Sequence, residues 1–128
     1  MPADPFARAE VEQWISVFDA YLDRAFIRDY VLPNLFPGGP DGKPDRAKIE
    51  AALPALRKGL SILETGYGGR NYLVGEAMTL ADILLAPAIA PLFLFAESAD
   101  LLGDCPNVRR AHAVMAARPS FVATQPAR

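Results

Sequence analysis

The chain has 128 residues, 52% of them hydrophobic, with 13 Lys and Arg against 15 Asp and Glu, a net charge of −2, one His and one Cys. A chain of this size hides about two thirds of its unfolded surface, sufficient for one packed core, and a single cysteine, Cys105, excludes an internal disulfide and fits a reducing cytoplasm. The mixed charge offers no basic face for DNA or RNA, and one His with one Cys cannot close a zinc site.

The start of the chain has neither a cationic region nor an apolar run, so we expect no targeting segment. Val11, Ile15, Phe18, Leu22 and Ala25 fall in alternating steps of four and three, which predicts a helix packed on other helices, with Trp14 and Tyr21 beside its stripe. Asp4 is placed to cap it and Pro5 to open it. We place this helix at about residues 5 to 31, roughly 40 Å long at 1.5 Å per residue. On it, Asp19 and Asp23 stand about one turn apart with Arg24 adjacent. Such carboxylates on a helix face are ordinarily solvated, although a pair can do acid and base work. Ser16, Ala20, Asp23 and Ile27 form a face away from the apolar stripe, small and polar enough to border a ligand cleft.

From Pro33 to Asp45 prolines and glycines are too dense for helix or strand, and we predict a mobile surface loop. Ile49, Leu53, Leu56, Leu60, Leu63 and Tyr67 then predict a second long helix capped near Asp45. Pro54 removes one backbone bond inside it, and because the stripe keeps its phase the expectation is a kink rather than a break. Gly66-Tyr67-Gly68-Gly69 follows a helix, no strand precedes it and no Gly-Lys-Ser/Thr appears, so it reads as a helix terminus and not a phosphate loop.

Thr79-Leu80-Ala81-Asp82 is a capping box: the Thr hydroxyl serves the amide three residues on, and Asp82 reaches back to the Thr79 amide, with Met78 placed to staple onto Ile83. It opens a predicted helix from about 80 to 96 that is apolar on every side, so neighbours should surround it. Its uncharged stretch, Ile83 to Ala96, is 14 residues with two prolines, whereas a membrane span needs about 20. A last helix runs from Pro106 to about Ala117 with Val108, Ala111, Met115 and His112 inward, followed by a short turn from Arg118 to Phe121. No segment alternates over five positions, so we expect no β-sheet. The whole predicts an all-α bundle of about five to six helices, one domain over residues 1–128.

Few residues offer catalysis. His112 has no nucleophile elbow to serve and reads as an interior or half-buried packing residue. Cys105 precedes a proline at a helix entrance, where a reactive thiolate is conceivable, but a buried small thiol is the simpler reading.

The order of a long Trp-containing helix, a second long helix, Tyr72-Leu73-Val74-Gly75-Glu76-Ala77-Met78-Thr79-Leu80-Ala81-Asp82-Ile83, Pro106-Asn107-Val108 and Met115-Ala116-Ala117-Arg118-Pro119-Ser120 resembles the C-terminal helical domain of glutathione S-transferases, over nearly the whole chain. In that family an N-terminal thioredoxin-like domain binds glutathione and activates its thiol, and nothing of that domain is in this sequence. The resemblance implies the half that shapes the hydrophobic substrate pocket and the homodimer contact, with glutathione as co-substrate of the whole enzyme, no cofactor held by this chain, and a small apolar electrophile as its ligand. It places pocket and glutathione-side positions near Ser16, Ala20, Asp23 and Arg24, and Phe121 near a lid, and it makes Thr79 and Asp82 a structural cap. One position departs: Ala111 stands where the family often carries Trp. The resemblance leaves three functions open: the pocket half of a glutathione-conjugating enzyme inactive by itself, a non-catalytic protein-interaction module, or a carrier of small apolar ligands.

Overall fold

In the computed structural model, which describes residues 1–126, six helices are joined by turns, and there is no strand among the described residues. The first helix, α1, opens as predicted: Asp4 Oδ2 accepts from the Ala7 amide at 3.0 Å, and Pro5 spends no donor that the first turn needs. Its winding then changes. An α segment, Pro5–Val17, passes without a break into a π-helical segment, Phe18–Val31, and ends in an α turn, Leu32–Leu35. In the π segment an amide reaches the carbonyl five residues back, as Leu32 does to Ile27. Side chains five apart therefore stack, and Arg28 pairs with Asp23 at 2.9 Å while Arg24 pairs with Asp29 at 3.4 Å. The helix outruns the expected end near residue 31, because Pro33 sits in the closing turn and the backbone leaves helical space only at Phe36.

The Pro/Gly segment holds one short turn of 3₁₀ helix, Pro40–Gly42, in which Asp41 takes a φ of 59°. Gly39 and Lys43 close it, the Gly39 amide donating to the Lys43 carbonyl at 2.9 Å. The second helix, α2 (Arg46–Tyr67), is capped where expected: Asp45 Oδ1 accepts from the Lys48 amide at 3.3 Å. It runs unbroken through Pro54, whose missing N–H leaves the carbonyl of Glu50, an exposed residue, without its usual helical partner. It stops at Gly68, which takes a φ of 57° that a residue with a Cβ adopts only under strain. Gly66-Tyr67-Gly68-Gly69 is thus a helix terminus.

α1 and α2 pack along the predicted stripes. Val11, Leu22, Ala25 and Phe26 from one helix and Ile49, Leu56, Leu60 and Leu63 from the other are buried. Two glycines set how closely they approach. A Cβ on Gly59 would lie 2.6 Å from the Phe26 ring, and one on Gly66 would collide with the Trp14 indole. The remaining helices are α3 (Leu80–Ile89, extended by a 3₁₀ turn, Ala90–Phe93), α4 (Ala96–Gly103), α5 (Pro106–Ala116) and α6 (Pro119–Ala123).

α3 corrects the sequence reading. It is ten residues long rather than seventeen, because Pro87 and Pro91 cannot supply the amides a longer ladder needs. Nor is it surrounded. Leu85, Ala86, Ala88, Ile89 and Leu92 are buried, yet Leu80, Ile83 and Leu94 are 43%, 47% and 46% exposed. No single helix among the described residues is long and apolar enough to cross a membrane.

Candidate functional site

The predicted pocket positions lie on α1 where its winding changes. Ser16 belongs to the α segment, and Ala20, Asp23 and Arg24 to the π segment. Ser16, Ala20 and Arg24 are exposed and Asp23 is half-buried. Because more residues share each turn of the π segment, each advances by a smaller angle, so a face spaced for α-helix drifts around the axis, and Ile27 turns partly into the core. Asp23 and Arg24 are each held in an ion pair with a partner five residues on, and Asp19 takes no part in these pairs. The two charged positions therefore present fixed, partly neutralised groups rather than a coupled carboxylate pair.

At the far end of the bundle three rings meet. His112 on α5 stacks on Phe93, with ring centroids 5.0 Å apart and planes 26° from parallel, and meets the edge of Phe121 of α6 at 5.7 Å and 82°. His112 is half-buried, and burial pushes its imidazole below the ordinary 6.5. Phe121, the predicted lid residue, is thereby tied to α5. Phe93 is 41% exposed and Val122 beyond it is exposed as well, so this cluster and the outer side of α3 carry much of the apolar surface the fold leaves uncovered.

The carboxylate half of the expected capping box forms. The Asp82 carboxylate, 2% exposed, accepts from the Thr79 amide at 2.9 Å, the Thr79 hydroxyl at 3.3 Å and the Leu73 amide at 3.0 Å. That arrangement starts α3 and ties it to the preceding loop. Beneath it, burial first and the Asp82 charge second push the Tyr67 phenol up, which keeps it neutral. A cleft of about 470 Å³ lies between the first residues of α1 and the stretch from Val74 to Thr79.

Cys105 is a buried small thiol. Its S–H donates to the Leu101 carbonyl at 3.5 Å, and burial first, then the carboxylates of Glu64 and Asp104, hold it as a thiol rather than a thiolate. It lines a groove of about 330 Å³ with Arg57 and Glu64. No group of three or more His, Cys, Asp and Glu side chains is gathered for a metal among the described residues.

The sequence reading missed two polar anchors. Glu64 on α2 receives the Asn107 and Val108 amides at the start of α5, at 2.8 and 2.9 Å. Arg110 on α5 reaches back to the turn after α2, donating to the carbonyls of Gly68 at 3.2 Å and Arg70 at 2.8 Å and to Asn71 Oδ1 at 3.0 Å. Both bridge more than 38 residues, and nothing local in the sequence signals them.

Compared with known proteins, residues 25–119 match the family described as glutathione S-transferase, C-terminal domain. Glutathione S-transferase F13 of Arabidopsis thaliana is 31% identical over 124 residues, 96% of this chain and 55% of that protein. A probable elongation factor 1-gamma of Caenorhabditis elegans is 32% identical over 104 residues, 81% of this chain but 25% of that protein. Among solved structures, a glutathione S-transferase of Methylobacillus flagellatus with glutathione bound superposes with a TM-score of 0.74 at 30% identity, covering 98% of this chain and 60% of that one. The chain thus spans between 25% and 60% of the length of these three proteins.

Proposed function

This chain belongs to the glutathione S-transferase family through its C-terminal domain, and from that premise we propose that it forms the electrophile-binding and subunit-contact half of a glutathione-conjugating enzyme. One observation carries the reading: α3, apolar but for Asp82, leaves Leu80 and Ile83 substantially exposed, as is Leu94 just beyond its 3₁₀ turn. A soluble domain keeps such a face when a second body covers it. In this reading a thioredoxin-like domain binds glutathione and removes its thiol proton, and the helices supply a concave wall. Ser16, Ala20, Asp23 and Arg24 border the cleft, and Phe121 closes its edge. The wall orients an apolar electrophile so that the thiolate sulfur bonds to its reactive carbon while a leaving group departs from that carbon with its electron pair, and holding the two partners together is its contribution to rate. Thr79 and Asp82 serve the fold rather than the substrate. The whole enzyme acts as a homodimer in the cytoplasm, in detoxification.

In this reading thiol activation belongs to the other domain, so a glutathione-conjugation assay on this chain by itself with an activated aryl halide is expected to show only the uncatalysed rate. Substantial, saturable turnover contradicts these roles.

A second reading is favoured by one observation, the 32% identity to an elongation factor 1-gamma, of which this chain covers a quarter. There the same fold is a protein-association module and the cleft is vestigial. Saturable binding of an apolar electrophile analogue supports the enzyme half. Its absence, together with stoichiometric association with a protein partner, supports the module.

A further inference from the structure

The contact between α5 and α6 rests on His112, a residue that the proposed conjugation does not use. His112 lies between Phe93, from the 3₁₀ extension of α3, and Phe121, from the middle of α6. Its Nδ1 is buried and, among the described residues, has no hydrogen-bond partner. A neutral ring tolerates this: with the proton on Nε2, Nδ1 is an unused acceptor. An imidazolium does not, because the second N–H has no acceptor and its charge no counterion. The charged residues on the surrounding elements nearest this end are Arg109 and Arg110 on α5, Arg118 at the entrance to α6, Glu64 on α2, Asp82 on α3, Glu97 and Asp100 on α4, and Asp104 just after it. None of them pairs with His112, and burial alone sets the direction of its shift. The Phe93 face attracts a cation, but it offers neither an acceptor for Nδ1–H nor access to water.

We propose that His112 is an acid-sensitive latch: neutral, it holds the Phe121 ring and with it α6 against α5, and protonated, it leaves the ring cluster for water and releases α6. Among the described residues the hydrogen bonds of α6, from Val122 to Arg118 and from the Thr124 hydroxyl to Ser120 and Phe121, are internal to that segment, and the one bond back to α5, from the Arg118 amide to the Met115 carbonyl at 3.1 Å, lies at the hinge and survives release. Opening exposes Phe93 and Phe121 beside the already exposed Val122. Acid therefore enlarges the apolar surface at this end of the bundle.

The sign follows from linkage. Docking of α6 favours the neutral ring, so below the ordinary imidazole value of 6.5 each pH unit shifts the balance toward the undocked form by up to tenfold, until the docked state also protonates. The experiment is a proton NMR titration of the chain between pH 8 and pH 5, following the His112 ring, the Phe121 ring and the Val122 methyls. The expected result is one shared midpoint below 6.5, with the remaining core methyls unmoved. Phe121→Ala should return the His112 midpoint toward 6.5, and His112→Phe should hold α6 docked and flat across the range. If Phe121 and Val122 stay unmoved while His112 titrates, or if Phe121→Ala leaves the His112 midpoint in place, the latch is refuted. Should His112→Phe fail to fold, the Phe121→Ala midpoint decides alone.

Discussion

Glu64 on α2 caps Val108 on α5 from 44 positions away: one carboxylate oxygen receives the Val108 amide at 2.9 Å and the other the Asn107 amide at 2.8 Å. The opening turn of a helix has free amides and a positive dipole end, and a carboxylate serves both. In most helices that anion stands beside the helix in sequence. Here it comes from the neighbouring helix, so a single side chain both starts α5 and fixes it on α2.

Removing it should therefore cost more than an ordinary cap. Glu64→Ala is expected to lower stability by about 2–3 kcal/mol, above an ordinary cap because this one consists of two charge-assisted hydrogen bonds. Glu64→Gln, which keeps one acceptor, should cost about 1 kcal/mol. Urea denaturation followed by circular dichroism measures both, and a loss under about 0.5 kcal/mol for the alanine variant contradicts the role given to this residue.

Asp82 presents a sharper case because it is buried. Asp82→Ala leaves the amides of Leu73 and Thr79 without an acceptor in a site only 2% exposed, and each buried orphan costs about 1–3 kcal/mol. The expected loss is about 3 kcal/mol or more, with Thr79→Ala losing less because its hydroxyl makes only the longer bond, at 3.3 Å. Equal losses for the two variants contradict this division.

What was legible in the sequence was local. Thr79 and Asp82 are three residues apart, so their pairing could be read directly, and the stripe from Ile49 to Tyr67 kept one phase and became one helix. The ends and the winding of α1 were harder. Two opposite-charge pairs at a spacing of five, Asp23 with Arg28 and Arg24 with Asp29, were in the sequence and are the signal of the π segment, but a search for steps of three and four passes over them. Glu64 and Arg110 escaped because their partners are set by the packing of α2 against α5. The outer face of α3 was misjudged for a related reason: composition reports that a helix is apolar, and only the fold reports which side lacks a neighbour. Of the candidate pocket positions, Asp23 and Arg24 turn out to be tied in ion pairs along their own helix, a fact no α-helical spacing predicts.

The exposed face of α3 makes its own prediction. A charge at Ile83, 47% exposed, should remove a docking surface without touching the core. Ile83→Glu is expected to keep stability within about 0.5 kcal/mol of the parent chain, while lowering both self-association in sedimentation and the fluorescence of a hydrophobic dye. A chain that is monomeric at high concentration and binds no dye, before any substitution, contradicts the account of that face.

The central claim is that these helices hold the electrophile side of a cleft. Its most direct test is an amide NMR titration of the chain with a hydrophobic S-alkyl glutathione, which carries both the co-substrate and an apolar group in one molecule. The account predicts saturable shifts at Ser16, Ala20, Asp23, Arg24 and Phe121. Shifts absent at those five positions, or confined to the cleft between the start of α1 and the Val74 to Thr79 stretch, would contradict it.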